Sequence, residues 1–292
     1  MRSLVTALLA VTWASAGPIV TVTSSGTTLA NTLLGSGITL SGTPTLTEAR
    51  PQSGTFTGGP SLVGFSSGII LSTGDASSAS GNYGGPDLPS TDEGGAGNAG
   101  LSSVIGGATT YDAAVLQFNF VPNASTVTFR YTFASAEYPD FINTKYDDAF
   151  AFFVNGTNYA LVPGTSTPVS INTINALTNA MYFKKYNAAG DQLPYGGETV
   201  VLTFTAPVNA GIVNTIELGI ADAGDAKLDS AVFIQAGSFK TDFQPFVSVP
   251  EPATFGVLGV GFLGLALARS LRGRRRNRAS NGERIALPPR TT

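Results

Sequence analysis

Leu116-Gln117-Phe118-Asn119-Phe120, a short break, then Val127-Thr128-Phe129-Arg130-Tyr131-Thr132-Phe133 carries the strongest structural signal in the chain. Large apolar side chains take every second position, and successive side chains of an extended strand point to opposite faces. Each run therefore predicts a strand with one buried and one polar face. The same period of two returns at Phe150, Phe152 and Val154, at Val200, Leu202 and Phe204, and at Ile216, Leu218 and Ile220. Asn155-Gly156 predicts a tight turn, with Tyr159 to Val162 as the returning arm of a hairpin. Ala231 to Ala236 reads as a final apolar strand, and Ser67 to Gly74 as a buried strand bracketed by glycines. Strands this frequent, parted by Gly, Pro and Asn, predict an all-β fold. The expected form is an antiparallel β-sandwich, jelly-roll-like, with two sheets over a Phe-rich core.

Outward from these strands the pattern weakens. Between Ile19 and Phe65, short runs such as Thr28-Leu29-Ala30 and Ile38-Thr39-Leu40 fit small strands between glycine turns. Asp75 to Gly107 is rich in Gly, Ser, Asn and Asp, which predicts a mobile surface loop. It contains no phosphate-cradling glycine motif. Helix signals are sparse before the C-terminal region, with room for one turn in Asn172 to Ala180.

Composition excludes much. The 292 residues contain no Cys and no His, which removes thiol nucleophiles, His-based acid–base chemistry and the usual zinc sites. Carboxylate-based glycoside hydrolysis survives this filter. Residues 17 to 250 hold seven Lys and Arg against 17 Asp and Glu, a net charge of −10. A nucleic-acid partner is not expected of so acidic a surface, whereas divalent cations and neutral sugars suit it.

Both ends carry export features. Arg2, the apolar run Leu4 to Trp13 and the small residues Ala14-Ser15-Ala16 have the order of a signal peptide over 1–16, cut by signal peptidase after Ala16. Near the other end stands Val249-Pro250-Glu251-Pro252-Ala253. A Gly/Leu-rich apolar run from Phe255 to Ala268 follows, containing Leu258, Phe262 and Leu265, and then an arginine cluster with Arg274, Arg275 and Arg276. Prolines end folded structure, the run suits a short transmembrane helix, and the arginines would stay cytoplasmic. This three-part order resembles the PEP-CTERM sorting signal of Gram-negative bacteria. The resemblance implies that an exosortase processes the chain at Pro250, Glu251 and Pro252 and that the 247–278 segment is a temporary membrane anchor. It also implies an inner-membrane precursor that ends at the cell surface or in the extracellular matrix. The polar remainder, 279–292, reads as a disordered cytoplasmic tail.

Between those ends, residues 17–246 form the expected domain. Three acidic groups stand out in it: Glu137, Asp147 with Asp148, and Asp222, Asp225 and Asp229. All fall at strand ends, so a sandwich can bring them to one rim. Packed carboxylates repel unless neutralised, and Ca²⁺ takes oxygen ligands from such loops. Solvated turn residues are the competing reading, because Asp is common in turns for local hydrogen bonding.

Several ordered segments are similar to the choice-of-anchor L domain. They are Thr32 to Gly35, Gly68 to Gly74, Leu116 to Phe120, Phe133-Ala134-Ser135-Ala136-Glu137-Tyr138, Asp147 to Phe153, Ile220 to Asp225 and Asp229 to Ile234. The family's usual acidic pair before Tyr138 is reduced here, with Ala136 beside Glu137. The order of Glu137, Asp148 and Asp229 is similar to the acidic triad of calcium-binding CUB sandwiches. The resemblance to the choice-of-anchor L domain implies no enzymatic activity. The expected function is that of a structural or glycan- and Ca²⁺-binding component of an extracellular polysaccharide (biofilm) matrix, with Tyr83, Tyr138, Tyr146, Tyr186 and Tyr195 exposed for sugar stacking. The alternatives are an adhesin or self-assembling surface protein, and a hydrolase using Glu137 with Asp148 or Asp229.

Overall fold

The alternating runs fold as strands of two facing antiparallel sheets in a computed structural model, which describes residues 17–81, 88–188 and 191–241. The strands are β1 (Pro18–Val22), β2 (Ile38–Thr47), β3 (Ser53–Gly58), β4 (Ser67–Ser72), β5 (Thr110–Pro122), β6 (Thr126–Ser135) and β7 (Ala149–Val154). After them come β8 (Thr157–Asn158), β9 (Phe183–Tyr186), β10 (Gly197–Thr199), β11 (Leu202–Pro207), β12 (Asn214–Ala223) and β13 (Ser230–Gln235). One sheet runs β1-β3-β4-β13-β6-β10-β9 with β11 also on β6, and the other β2-β5-β12-β7-β8. The all-β sandwich is as expected. Its eight- and five-stranded sheets exceed the eight strands of a jelly roll.

Between the sheets lies an aromatic core. Phe129 of β6 meets Phe152 of β7 edge-on at 4.3 Å between ring centroids and stacks on Phe204 of β11 at 4.5 Å. Phe118 and Phe120 of β5 close the same layer against Phe239. Asn155 and Gly156 both have positive φ (49° and 83°), the conformation a two-residue hairpin turn requires. The returning arm starts at once, at Thr157, earlier than Tyr159.

The eight-stranded sheet is buried on its outer face too. Phe56, Val63, Phe65, Ile70, Tyr195 and Phe233 form a second apolar cluster there, and the Thr132 hydroxyl donates to the Val63 carbonyl. This explains the unbroken Ile69-Ile70-Leu71 run, since both faces of β4 need apolar cover. Tyr195 thus belongs to the core, as does Tyr138, which donates to the Ile174 carbonyl. Neither is available for sugar stacking, Tyr146 and Tyr186 are partly buried, and Tyr83 lies outside the described residues.

The structure holds more helix than the sequence pattern predicts. Thr28-Leu29-Ala30 is no strand but the middle of α1 (Gly26–Leu33), whose first turn is capped by the Ser25 hydroxyl accepting from Thr28 N–H. Leu29, Ala30 and Leu33 bury one face of it. A short α2 (Pro60–Val63) follows. The Asp75–Gly107 stretch is ordered where described: a 3₁₀ turn spans Ala76–Ser80, and α3 (Ala99–Val104) sets Leu101 on the outer face of the five-stranded sheet against Ala113, Val115, Ala151 and Ala221. No helix among the described residues is long and apolar enough to cross a membrane. The expected anchor, with Phe255, Leu258, Phe262, Leu265 and Arg274 to Arg276, lies outside them, as do Ala16, Pro250, Glu251 and Pro252.

Because Phe129 touches both sheets' aromatics, Phe129→Ala is expected to cost about 3–5 kcal/mol in chemical unfolding. Phe153→Ala, on the half-buried outer face of β7, should cost much less in the same measurement.

Candidate functional site

Strand direction alone gathers the acids. The ends of β4, β6 and β12 and the starts of β3, β5, β7 and β13 meet at one rim of the sandwich. Asp148, just before β7, accepts from Ala223 N–H of β12 at 3.0 Å and from the Ser230 hydroxyl of β13 at 2.6 Å. One carboxyl group thereby ties the two sheets together. Gln52 does so as well: its side-chain amide donates to the Thr73 carbonyl beyond β4 at 2.7 Å and to the Asp112 carbonyl in β5 at 2.6 Å.

The sequence-predicted acids differ in setting. Asp222 (0%), Asp148 (1%), Asp229 (1%) and Glu137 (2%) are almost without solvent exposure, whereas Asp147 and Asp225 are half-buried. Asp147 is held by Asn172 N–H at 3.1 Å. Asp229 accepts from Thr91 N–H at 2.8 Å through one oxygen and leaves the other without a hydrogen bond. Neither oxygen of Asp222 makes a hydrogen bond of normal geometry, although the Thr73 hydroxyl is close enough to ease its charge. Glu137 also has one unpartnered oxygen.

Two acids of this rim were not singled out from sequence. Asp112 is fully buried at the start of β5, in the left-handed region (φ 46°), and accepts from Glu93 N–H at 2.9 Å and from Gly95 N–H. Glu93 is buried beside it and meets Arg50 at 3.7 Å. The only sequence signal was an Asp heading an apolar strand. Through these bonds the segment from Pro89 to Ala96 is strapped along the rim: Asp229 N–H donates to the Pro89 carbonyl and Ala113 N–H to the Ala96 carbonyl. Gly74 completes the packing. A Cβ there would lie 2.0 Å from a carboxyl oxygen of Asp229, so only glycine fits beneath that group.

Burial and mutual repulsion set the protonation. Glu137 is pushed up to about 9, first by burial and then by Asp148, Asp225 and Asp147. Asp148 rises to about 8 by burial, which outweighs its hydrogen bonds from Ser230 and Ala223. Asp229 rises to about 6, and Asp222 goes well above the ordinary range by burial and then the Asp148 charge. Such a cluster can hold protons at neutral pH or surrender them to a cation. Among the described residues no three acidic side chains converge closely enough to form a ready-made metal cage.

The family model described as the choice-of-anchor L domain matches residues 20–240, and that of the PEP-CTERM protein-sorting motif matches 248–276. No curated protein and no solved structure matches the chain.

Stability should follow the raised pKa values. The native state holds more protons than the unfolded chain between the ordinary carboxyl range near pH 4 and the raised values of about 6, 8 and 9, so stability falls as pH rises through that window. In chelator, thermal melting is expected about 5 °C or more lower near pH 9 than near pH 5. Gly74→Ala should lower stability by ~1–3 kcal/mol at either pH by dislodging the Asp229 carboxyl.

Proposed function

The chain belongs to the choice-of-anchor L domain family and carries a PEP-CTERM sorting motif, and from this we propose that its sandwich is a non-catalytic, Ca²⁺-responsive component of an extracellular matrix. The sorting motif marks an exported, exosortase-processed surface protein. The matrix role and the cation are the proposal. In the precursor the 247–278 segment serves as the anchor in the inner membrane of a Gram-negative cell, with signal peptidase acting after Ala16 and exosortase at Pro250-Glu251-Pro252. The processed protein then works among extracellular polysaccharide.

The observation that carries the Ca²⁺ reading is the pair Asp222 and Asp229, buried with three unpartnered carboxyl oxygens between them. Unpaired buried charge is costly, and a divalent cation compensates it. Ca²⁺ takes roughly six to eight oxygens, and carbonyls, hydroxyls and waters count among them, so two carboxylates can anchor a site without a cage of acids. Glu137, Asp147, Asp148 and Asp225 then set the surrounding field. The same burial supports the non-catalytic reading, because a glycosidic bond must reach the carboxyls that cleave it.

Millimolar Ca²⁺ near pH 8 is expected to raise the melting temperature by about 5–10 °C, with EDTA reversing it, if the concentration is ~100-fold above Kd. Asp222→Asn should abolish that response without lowering the melting temperature in EDTA. A melting curve indifferent to Ca²⁺ would sink the cation, and sugar release from matrix polysaccharide lost in Glu137→Gln would sink the non-catalytic reading.

A further inference from the structure

The outer face of the five-stranded sheet carries a polar rung that the fold itself does not use. Thr45, Gln117, Glu217 and Phe153 are successive cross-strand partners on β2, β5, β12 and β7. Directly paired residues of antiparallel strands share a face. Their sequence neighbours Leu116, Leu218 and Phe152 fill the core, so this rung faces out. The next rung holds Asn119 and Thr215, whose hydroxyl donates to the Asn119 amide oxygen at 2.7 Å. By contrast, the side chains of Gln117 and Glu217 make no hydrogen bond to any described residue.

Two clefts meet at this unpaired amide and carboxylate. One, of about 360 Å³, is bordered by Phe153, Thr215 and Ser103 of α3. The other, of about 300 Å³, is bordered by Glu48, Asn98 and Thr47. Gln117 and Glu217 line both, so the two form one trough across the strands beside α3. Glu48 borders the second cleft with its side-chain stem, its two carboxyl oxygens being buried beneath the surface. Among the described residues, no Lys or Arg lines either cleft.

We propose that this trough is the polysaccharide site of the protein and that it takes a neutral glycan chain laid across the sheet. The inference rests on the matrix reading above and gives it a place and a ligand class. A sugar ring offers neighbouring hydroxyls and an apolar C–H face. Glu217 accepts from hydroxyls, the Gln117 amide both donates and accepts, and the Phe153 ring supplies an apolar surface for the C–H face. With carboxylates and no cation in the lining, uronate or sulfated chains are repelled. The site lies on a sheet face rather than at loop tyrosines, and its lining is set by rigid strands.

The test uses the full chain purified in detergent, on an array of neutral gluco-, manno- and galacto-oligosaccharides with a matched uronate set. At least one neutral series should bind, and Glu217→Gln and Gln117→Ala should each weaken it about tenfold or more with unchanged melting temperature. Phe153→Ala should weaken it as well, and Lys227→Ala at the acidic rim should not. The proposal is overturned if no neutral glycan binds, if uronates bind better, or if Glu217→Gln and Gln117→Ala bind as the parent does. Melting with and without Ca²⁺ is read on the same samples. A surviving Ca²⁺ response without glycan binding overturns the trough alone, and loss of both overturns the matrix reading with it.

Discussion

Everything at the rim depends on Asp148. Its two oxygens accept from a backbone amide of one sheet and a hydroxyl of the other, in a place water scarcely reaches. The apolar core would hold the sheets face to face without it, but apolar contact is non-directional. A bonded carboxyl fixes how β7, β12 and β13 end relative to one another. That register then fixes where Asp222 and Asp229 lie. The repulsion among them is the cost of building a directional tie from acids, and the raised pKa values of Asp148, Asp222 and Asp229 relieve it by keeping protons on the group.

Much of the sandwich was legible because its core strands obey the simplest rule. Phe129, Tyr131 and Phe133 alternate, and so do Phe150 and Phe152, since one face of each meets the other sheet. Where a third layer intervenes, alternation fails. Ile69-Ile70-Leu71 is apolar throughout because Phe56 and Phe233 cover its outer side, and Tyr195 was misjudged for the same reason. Helix α1 was missed because Thr and Gly depress its propensity; the Ser25 cap and the buried Leu29–Leu33 face override that. The Gly-rich 88–98 segment shows no periodicity because its order comes from carboxyl groups far along the chain.

The acidic positions were legible as a set, since strand ends in an antiparallel sandwich share a rim. Their chemistry was not. Nothing in the local sequence separates Asp222, sealed with both oxygens unpartnered, from Asp225, half-open three residues later. Asp112 was invisible for a related reason. A charged residue opening a strand looks like a solvated end until the strap returns to bond it. The outer trough was hidden in plain alternation: Gln117 and Glu217 are the polar half of strands read only for their apolar half.

The two ends of the sandwich have opposite characters. Lys240 bridges to Thr128 at the start of β6, and Glu137 follows its end. The strand from Thr128 to its end at Ser135 covers about 23 Å at ~3.3 Å per residue, with Glu137 two residues further on. The described chain therefore leaves the domain at the end remote from the acidic rim. The buried carboxyl groups and the last described residues thus lie at opposite ends of β6. The Gln117–Glu217 trough lies on the outer face of the five-stranded sheet, which α3 covers only in part. Rim and trough each sit where the core has no further use for the surface, and the Phe-rich interior and the Asp148 tie hold the two in fixed relation.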